Sequence, residues 1–216
     1  MQKGGVMRNI IASLILVATL AACGREEDLT ETPPPLGQFR LGHNIAIADN
    51  VTKGPLSRDF TETQLEASVQ NAVAKRLRRY DGDGLYHLGI VVGGIVLAQP
   101  GIPVVYAPQS VMILDVTVFD NTTQAKLNEE PKRFFAGEGL RNAVPFIGTG
   151  LVRSADVQLE NLSASAARQI EEWLVENPQW FAPRDGQIRV PYDVRVDAPN
   201  FDTSSSNDIT SEPRSN

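Results

Sequence analysis

The 216-residue chain carries one cysteine and two histidines. A single thiol cannot form an internal disulfide, so the fold must be held by its core. A structural zinc site takes three or four ligands. His43 and His87 stand far apart in sequence with no free cysteine to join them, so neither a metal nor a cofactor is expected. The P-loop, the G-x-S-x-G elbow and the H-E-x-x-H pair are all missing. Gly148-Thr149-Gly150 does not continue into G-x-G-x-x-G, which leaves a dinucleotide site unsupported. Adjacent acids such as Glu129-Glu130 and Glu171-Glu172 point apart on a strand and share no helical row, so they make no acid/base pair. No catalytic residue is assigned, and the chain is read as a non-enzyme.

Positive charge is also scarce. The formal net charge is −6, and removing Lys3 and Arg8 with the first 22 residues takes it to −8. Binding to phosphates is driven by Lys and Arg, so nucleic acid is excluded as a direct partner. No apolar run reaches the length of about 20 residues that a spanning helix needs.

What is present begins with an address. Sparse positive charge precedes the apolar run Ala12 to Ala22, which closes on small residues, the pattern of a secretory signal peptide. Its end, Leu20-Ala21-Ala22-Cys23, resembles the lipobox of bacterial lipoprotein precursors. That resemblance implies diacylglycerol on the Cys23 thiol, palmitate-type acylation, and cleavage just before it, with Leu20, Ala21 and Ala22 as the signal-peptidase recognition residues. Two or more acyl chains hold a protein stably at a membrane. Gly24 after the cysteine, by analogy with enteric bacteria, implies the outer membrane, with the body of the protein facing the periplasm. Translation starts at Met1 or at Met7.

Residues 23–38 are polar and proline-rich and read as a flexible tether. One domain is expected over 39–197, followed by a disordered tail over 198–216. Phe39 to Ala48 reads as a strand, with Ile45 and Ile47 alternating against Ala46 and Ala48. A capping box with Thr61 and Gln64, and a staple from Phe60 to Leu65, open a helix whose apolar face is Leu65, Val69, Val73, Leu77 and Tyr80. Its basic end, Lys75, Arg76, Arg78 and Arg79, suits the helix dipole and reads as a solvated face, with an anionic docking patch as the alternative. Asp81-Gly82-Asp83-Gly84 ends the helix.

Leu85 to Ala98 is apolar on both faces but interrupted by Gly89, Gly93 and Gly94, which predicts one central strand or two short ones, with a lipid- or partner-facing surface as the alternative to core. Ser110 to Asp120 is the clearest strand, with Asp115 among apolar neighbours and therefore half-wet or paired with an arginine. Lys132 to Ala136 returns as the next hairpin strand. Asn161-Leu162-Ser163 opens a second helix, capped by Ser163, with Glu171 and Glu172 on its polar side. Ile188 to Val196 alternates as an edge strand containing Pro191. Phe146 and Ile147, at the tip of a glycine-rich loop, and Trp180 and Phe181, just beyond Pro178, are candidate partner or ligand surfaces. For Trp180 and Phe181 the alternative is the core.

This order predicts an α+β fold, an antiparallel sheet of about four or five strands with two amphipathic helices packed on one face. With the lipobox, the layout resembles small periplasmic lipoproteins that assist envelope machines, and uncharacterised alphaproteobacterial lipoproteins. The resemblance implies a lipid-anchored accessory or assembly protein that docks an envelope protein. The alternative is a lipoprotein that binds a small or lipidic ligand.

Overall fold

The computed structural model describes residues 29–55, 57–99, 110–137 and 154–191. Its elements in chain order are β1 (Phe39–Ile47), β2 (Thr52–Lys53), α1 (Glu62–Leu77), β3 (Gly84–Val96), β4 (Val111–Asp120), β5 (Ala125–Lys126), β6 (Lys132–Gly137) and α2 (Ala155–Val175). A short 3-10 helix, Pro178–Phe181, follows. The α+β class is as the pattern predicts: one sheet, with α1 and α2 contributing to a single core on one of its faces.

The sheet is mixed rather than purely antiparallel. β3 is its centre, with β1 and β2 beside it on one side and β4 on the other; β5 and β6 flank β4. β4 pairs antiparallel with β3 and β6, as hairpin-linked strands do, but β1 and β2 run parallel to β3. The reason is α1. A helix between two neighbouring strands carries the chain back to the starting end of the sheet, and the next strand then runs in the same direction.

Local chemistry sets the helix ends. At α1 the Thr61 N–H donates to Gln64 Oε1 at 2.9 Å, and the Gln64 N–H donates to Thr61 Oγ1 at 3.1 Å, completing the capping box. Phe60 and Leu65 are both buried beside it. α2 begins earlier than the sequence pattern suggests, with Ser154 as its cap. Ser163 is instead an interior helical residue whose hydroxyl meets that of Ser68 on α1 at 2.9 Å. The apolar stripe of α2 extends back through Leu159, so tertiary burial lengthens the helix past the weaker capping signal.

Two further expectations are corrected. Leu36 is buried in the core, and Arg79 donates to the carbonyls of Leu29 and Glu31. Residues 29–38 therefore lie against the domain, and only the first part of the expected tether falls outside the described residues. At the other end, Ile188 to Pro191 forms no strand. The Arg189 guanidinium bonds Asp81 and Asp83, and Arg40 donates to the Val190 carbonyl at 2.6 Å. Side-chain ion pairs hold this segment where ladder bonds were expected. Residues 192–216 lie outside the described residues.

Candidate functional site

The alternation of β-strands sends every second side chain to the face opposite the helices. On β1 these are His43, Ile45 and Ile47; on β3, His87, Gly89 and Val91; on β4, Val111, Ile113, Asp115, Thr117 and Phe119; on β6, Arg133 and Phe135. Register makes the apolar ones contiguous. Ile47 pairs with Val91, Ile113 pairs with Phe135, and Val91 lies diagonal to Ile113. Ile45, Ile47, Val91 and Phe135 are 54%, 44%, 51% and 61% exposed, and among the described residues no element covers them. A run of exposed large aliphatic and aromatic side chains on one flat sheet face is the kind of patch that marks an interaction surface.

Asp115 crosses this face and is taken up by Arg133. Nε and Nη2 of the arginine each donate to one carboxylate oxygen at 2.8 Å. Hydrogen bonding to Arg133 holds the Asp115 carboxyl below its usual range, against a smaller opposing effect of desolvation. The pair continues the Ile47–Val91 row across β4 and β6 as a polar, charge-neutral step.

At the other end of the same face the two histidines meet. β1 bulges: Leu41 is opposite Tyr86 and Asn44 opposite Leu88, so Gly42 and His43 together face His87. The His43 N–H donates to His87 Nδ1 at 2.9 Å, and the two rings stack with centroids 5.0 Å apart at 27°. Since Nδ1 accepts, the neutral ring carries its proton on Nε2, which lies 3.1 Å from Asn121 Oδ1. A Cβ on Gly42 would stand 2.6 Å from the His87 ring, so glycine is what lets the imidazole in. Phe119, Asn121, Leu85 and Val190 complete a cavity of about 440 Å³. Asp120 at its floor is buried and held by Arg184 and by the N–H of Thr122 at 2.8 Å. Asp115 is not part of this cavity. His87 pairs with Phe119, four residues along β4 from Asp115, so the histidines and that carboxylate do not form an acid/base pair.

The sequence-derived candidates fall into two groups. Leu20, Ala21, Ala22, Cys23, Phe146 and Ile147 lie outside the described residues. Of the two readings of Trp180 and Phe181, the fold takes the core one. Phe181 is fully buried, edge-on to Tyr86 at 4.9 Å and to Phe39 at 5.1 Å, and Trp180 packs on Trp173 at 5.2 Å. The Gln38 N–H donates to the Phe181 carbonyl at 2.8 Å and the Tyr86 hydroxyl to the Trp180 carbonyl at 3.2 Å, tying the 3-10 turn down. The signal for the true exposed face was the Ile45, Ile47 alternation, whose large residues point out while Ala46 points in.

The basic end of α1 divides: Lys75 and Arg78 are exposed, as the solvated-face reading expects, whereas Arg76 and Arg79 turn onto Glu171 of α2, which is buried rather than on the polar side of its helix.

No family model and no curated protein matches the sequence. Among solved structures the chain is similar to a candidate lipoprotein from Caulobacter crescentus, at 18% identity over 62% of this chain and 93% of that one, with a TM-score of 0.34. A DUF330 protein from Xanthomonas campestris is 11% identical over 68% and 92%, with a TM-score of 0.36. PelC, a dodecamer in its crystal from Paraburkholderia phytofirmans, is 10% identical over 62% and 91%, with a TM-score of 0.30. At these identities and TM-scores the likenesses carry no functional assignment.

Proposed function

We propose that this protein is a lipid-anchored, non-enzymatic accessory of the bacterial envelope, held at the outer membrane through Cys23 and docking a periplasmic protein partner on the uncovered sheet face. The observation that carries the reading is the contiguous exposed set Ile45, Ile47, Val91 and Phe135. The lipobox-like Leu20-Ala21-Ala22-Cys23 supports the anchor. The partner is a protein with an apolar surface. An acidic chain is repelled by anionic lipid headgroups, and the charge beside the exposed apolar residues is the neutralised Asp115–Arg133 pair. The ligand-binding alternative has less support. The cavity beside the histidines mixes Leu85, Phe119 and Val190 with imidazole, amide and a paired carboxylate, and so lacks the predominantly apolar wall that an acyl chain needs.

The test places a photo-crosslinking side chain at Val91 or Phe135 in the full chain, expressed in its own envelope, with Glu172 on the far side of α2 as the control position. One discrete protein adduct from the two sheet positions, absent at Glu172 and lost in a Cys23→Ser form, is the expected result. Lipidated protein recovered without an adduct at either sheet position would sink the reading.

A further inference from the structure

We propose that residues 192–197, which follow Pro191 directly, dock on the β1–β3 half of the exposed sheet face, with Tyr192, Val194 and Val196 laid over Ile45, Ile47 and Val91. The inference needs only the chain itself. It adds to the docking proposal that a partner reaching Val91 must displace this segment.

The described part of the carboxy-terminal segment already crosses this face. Arg184 pairs with Asp120 at the end of β4. The Gln187 amide lies so close over Gly84, at the start of β3, that a Cβ there would stand 2.7 Å from its Nε2. Arg189 bonds Asp81 and Asp83, and the Val190 carbonyl accepts from Arg40 of β1 at 2.6 Å. The chain thus passes from β4 over β3 to β1, and burial follows its course. Leu85 shares a face with His87 and Val91 and stands outside the helix-side core, yet it is only 4% exposed, with Val190 in the same cavity wall. Beyond Val190, Ile45, Ile47 and Val91 are open.

The sequence after Pro191 matches what is left uncovered. The residue before a proline is kept out of the helical region, so Val190 leads into Pro191 in an extended course. Side chains alternate along an extended chain. The side on which Val190 lines the cavity therefore also carries Tyr192, Val194 and Val196, while Asp193, Arg195 and Asp197 take the solvent side. Reach fits as well: His43 to Ile47 is about 13 Å along β1, and an extended chain from Val190 to Val196 spans about 20 Å. Docking the two apolar rows on each other removes both from water. Phe135 stays outside this half, because it stands on β6, on the far side of β4 from β3.

The test is limited trypsin digestion of the purified full chain, because Arg195 places a cleavage site inside the segment and Arg214 one beyond it. The double variant Ile47→Ser with Val91→Ser is expected to speed cleavage after Arg195 by about tenfold or more, since cleavage follows the open population. Cleavage after Arg214 stays unchanged. Ile45→Ser, on the same half, acts in the same direction, and Phe135→Ser leaves both sites as they were. All four residues are exposed, and thermal unfolding of each variant shows that the domain stays folded. Equal rates after Arg195 in the wild type and the β1–β3 variants, an equal rise in Phe135→Ser, or a rise that Arg214 shares overturns the proposal. Protection of Arg195 that grows with protein concentration also overturns it, and gives the face to a second copy of the chain.

Discussion

Arg76 and Glu171 meet between the two helices with Nη1 2.5 Å from Oε2, both side chains buried, although the residues are 95 positions apart. The other carboxylate oxygen of Glu171 accepts from Arg79 at 2.9 Å and from the Tyr80 hydroxyl at 2.7 Å. One acid on α2 thus gathers the whole C-terminal turn of α1. The arrangement fixes how the helices sit on each other, and through them the orientation of the sheet beneath.

Removing the charge of Glu171 takes from Arg76 and Arg79, in a largely buried site, the carboxylate that they share. Glu171→Gln is expected to cost about 3 kcal/mol or more of unfolding free energy. Glu172→Gln, one residue on, breaks only the exposed pair with Arg168 and is expected to cost less than about 0.5 kcal/mol. Urea denaturation of the two variants separates these outcomes. Equal costs would mean that Glu171 is not the organising contact.

Tyr80 makes the same network sensitive to alkali. Burial first, and then the hydrogen bond to Glu171, push the phenol above its ordinary value of 10.0. A group whose folded value is raised loses its proton first in the unfolded chain. Its contribution is therefore fully present below about pH 10 and is lost as pH climbs toward the folded value. Stability followed from pH 8 upward should decline above 10. In Tyr80→Phe the slope in that window should be shallower by up to about 1.4 kcal/mol per pH unit, the weight of one proton. Tyr86, raised mainly by burial, keeps part of the slope in the variant.

The two sides of the sheet should respond to substitution in opposite ways. Phe135→Ser on the exposed face is expected to move unfolding free energy by no more than about 0.5 kcal/mol. Leu114→Ala, fully buried one row inside, should cost about 2–5 kcal/mol. Thermal or chemical unfolding reads both. A large loss from Phe135→Ser would show that this face is buried in the intact protein by residues of its own chain.

Gly37 has φ +53, and a Cβ there would run into the Phe181 carbonyl. Gly186 shares the positive φ, at +73, but has open space around it. Gly186→Ala should therefore show only the backbone penalty, about 1 kcal/mol. Gly37→Ala should exceed it, because the added methyl displaces the carbonyl to which the Gln38 N–H donates. Comparing the two by denaturant midpoint isolates the packing contribution from the conformational one.

Much of the fold was legible locally. The Thr61–Gln64 box and the Leu65, Val69, Val73, Leu77 stripe place α1, because capping and helical period act within a few residues. The apolar run of β3, interrupted by Gly89, Gly93 and Gly94, identifies a strand at the centre of the sheet, and the alternation of β4 identifies its two faces. Asp115 was legible as half-wet or paired with an arginine, though not as the partner of Arg133. The candidate site was far less legible. Ile45 and Ile47 are the larger members of their alternation, and size alone argues that they point inward. They point outward because α1 packs over β1 and leaves room only for Ala46 and Ala48.

The sequence by itself determined the class of fold, the two helices on one face, the hairpin β3–β4–β6 and an amino-terminal segment that reads as a lipoprotein signal. Each of these follows from short-range pattern. Only the tertiary structure decided that β1 runs parallel to β3, that Glu171 turns inward to Arg76, and that His43 and His87 stack across 44 residues of chain. Those outcomes depend on which surfaces meet once the core closes, and a contact between distant segments leaves no period in the sequence that joins them.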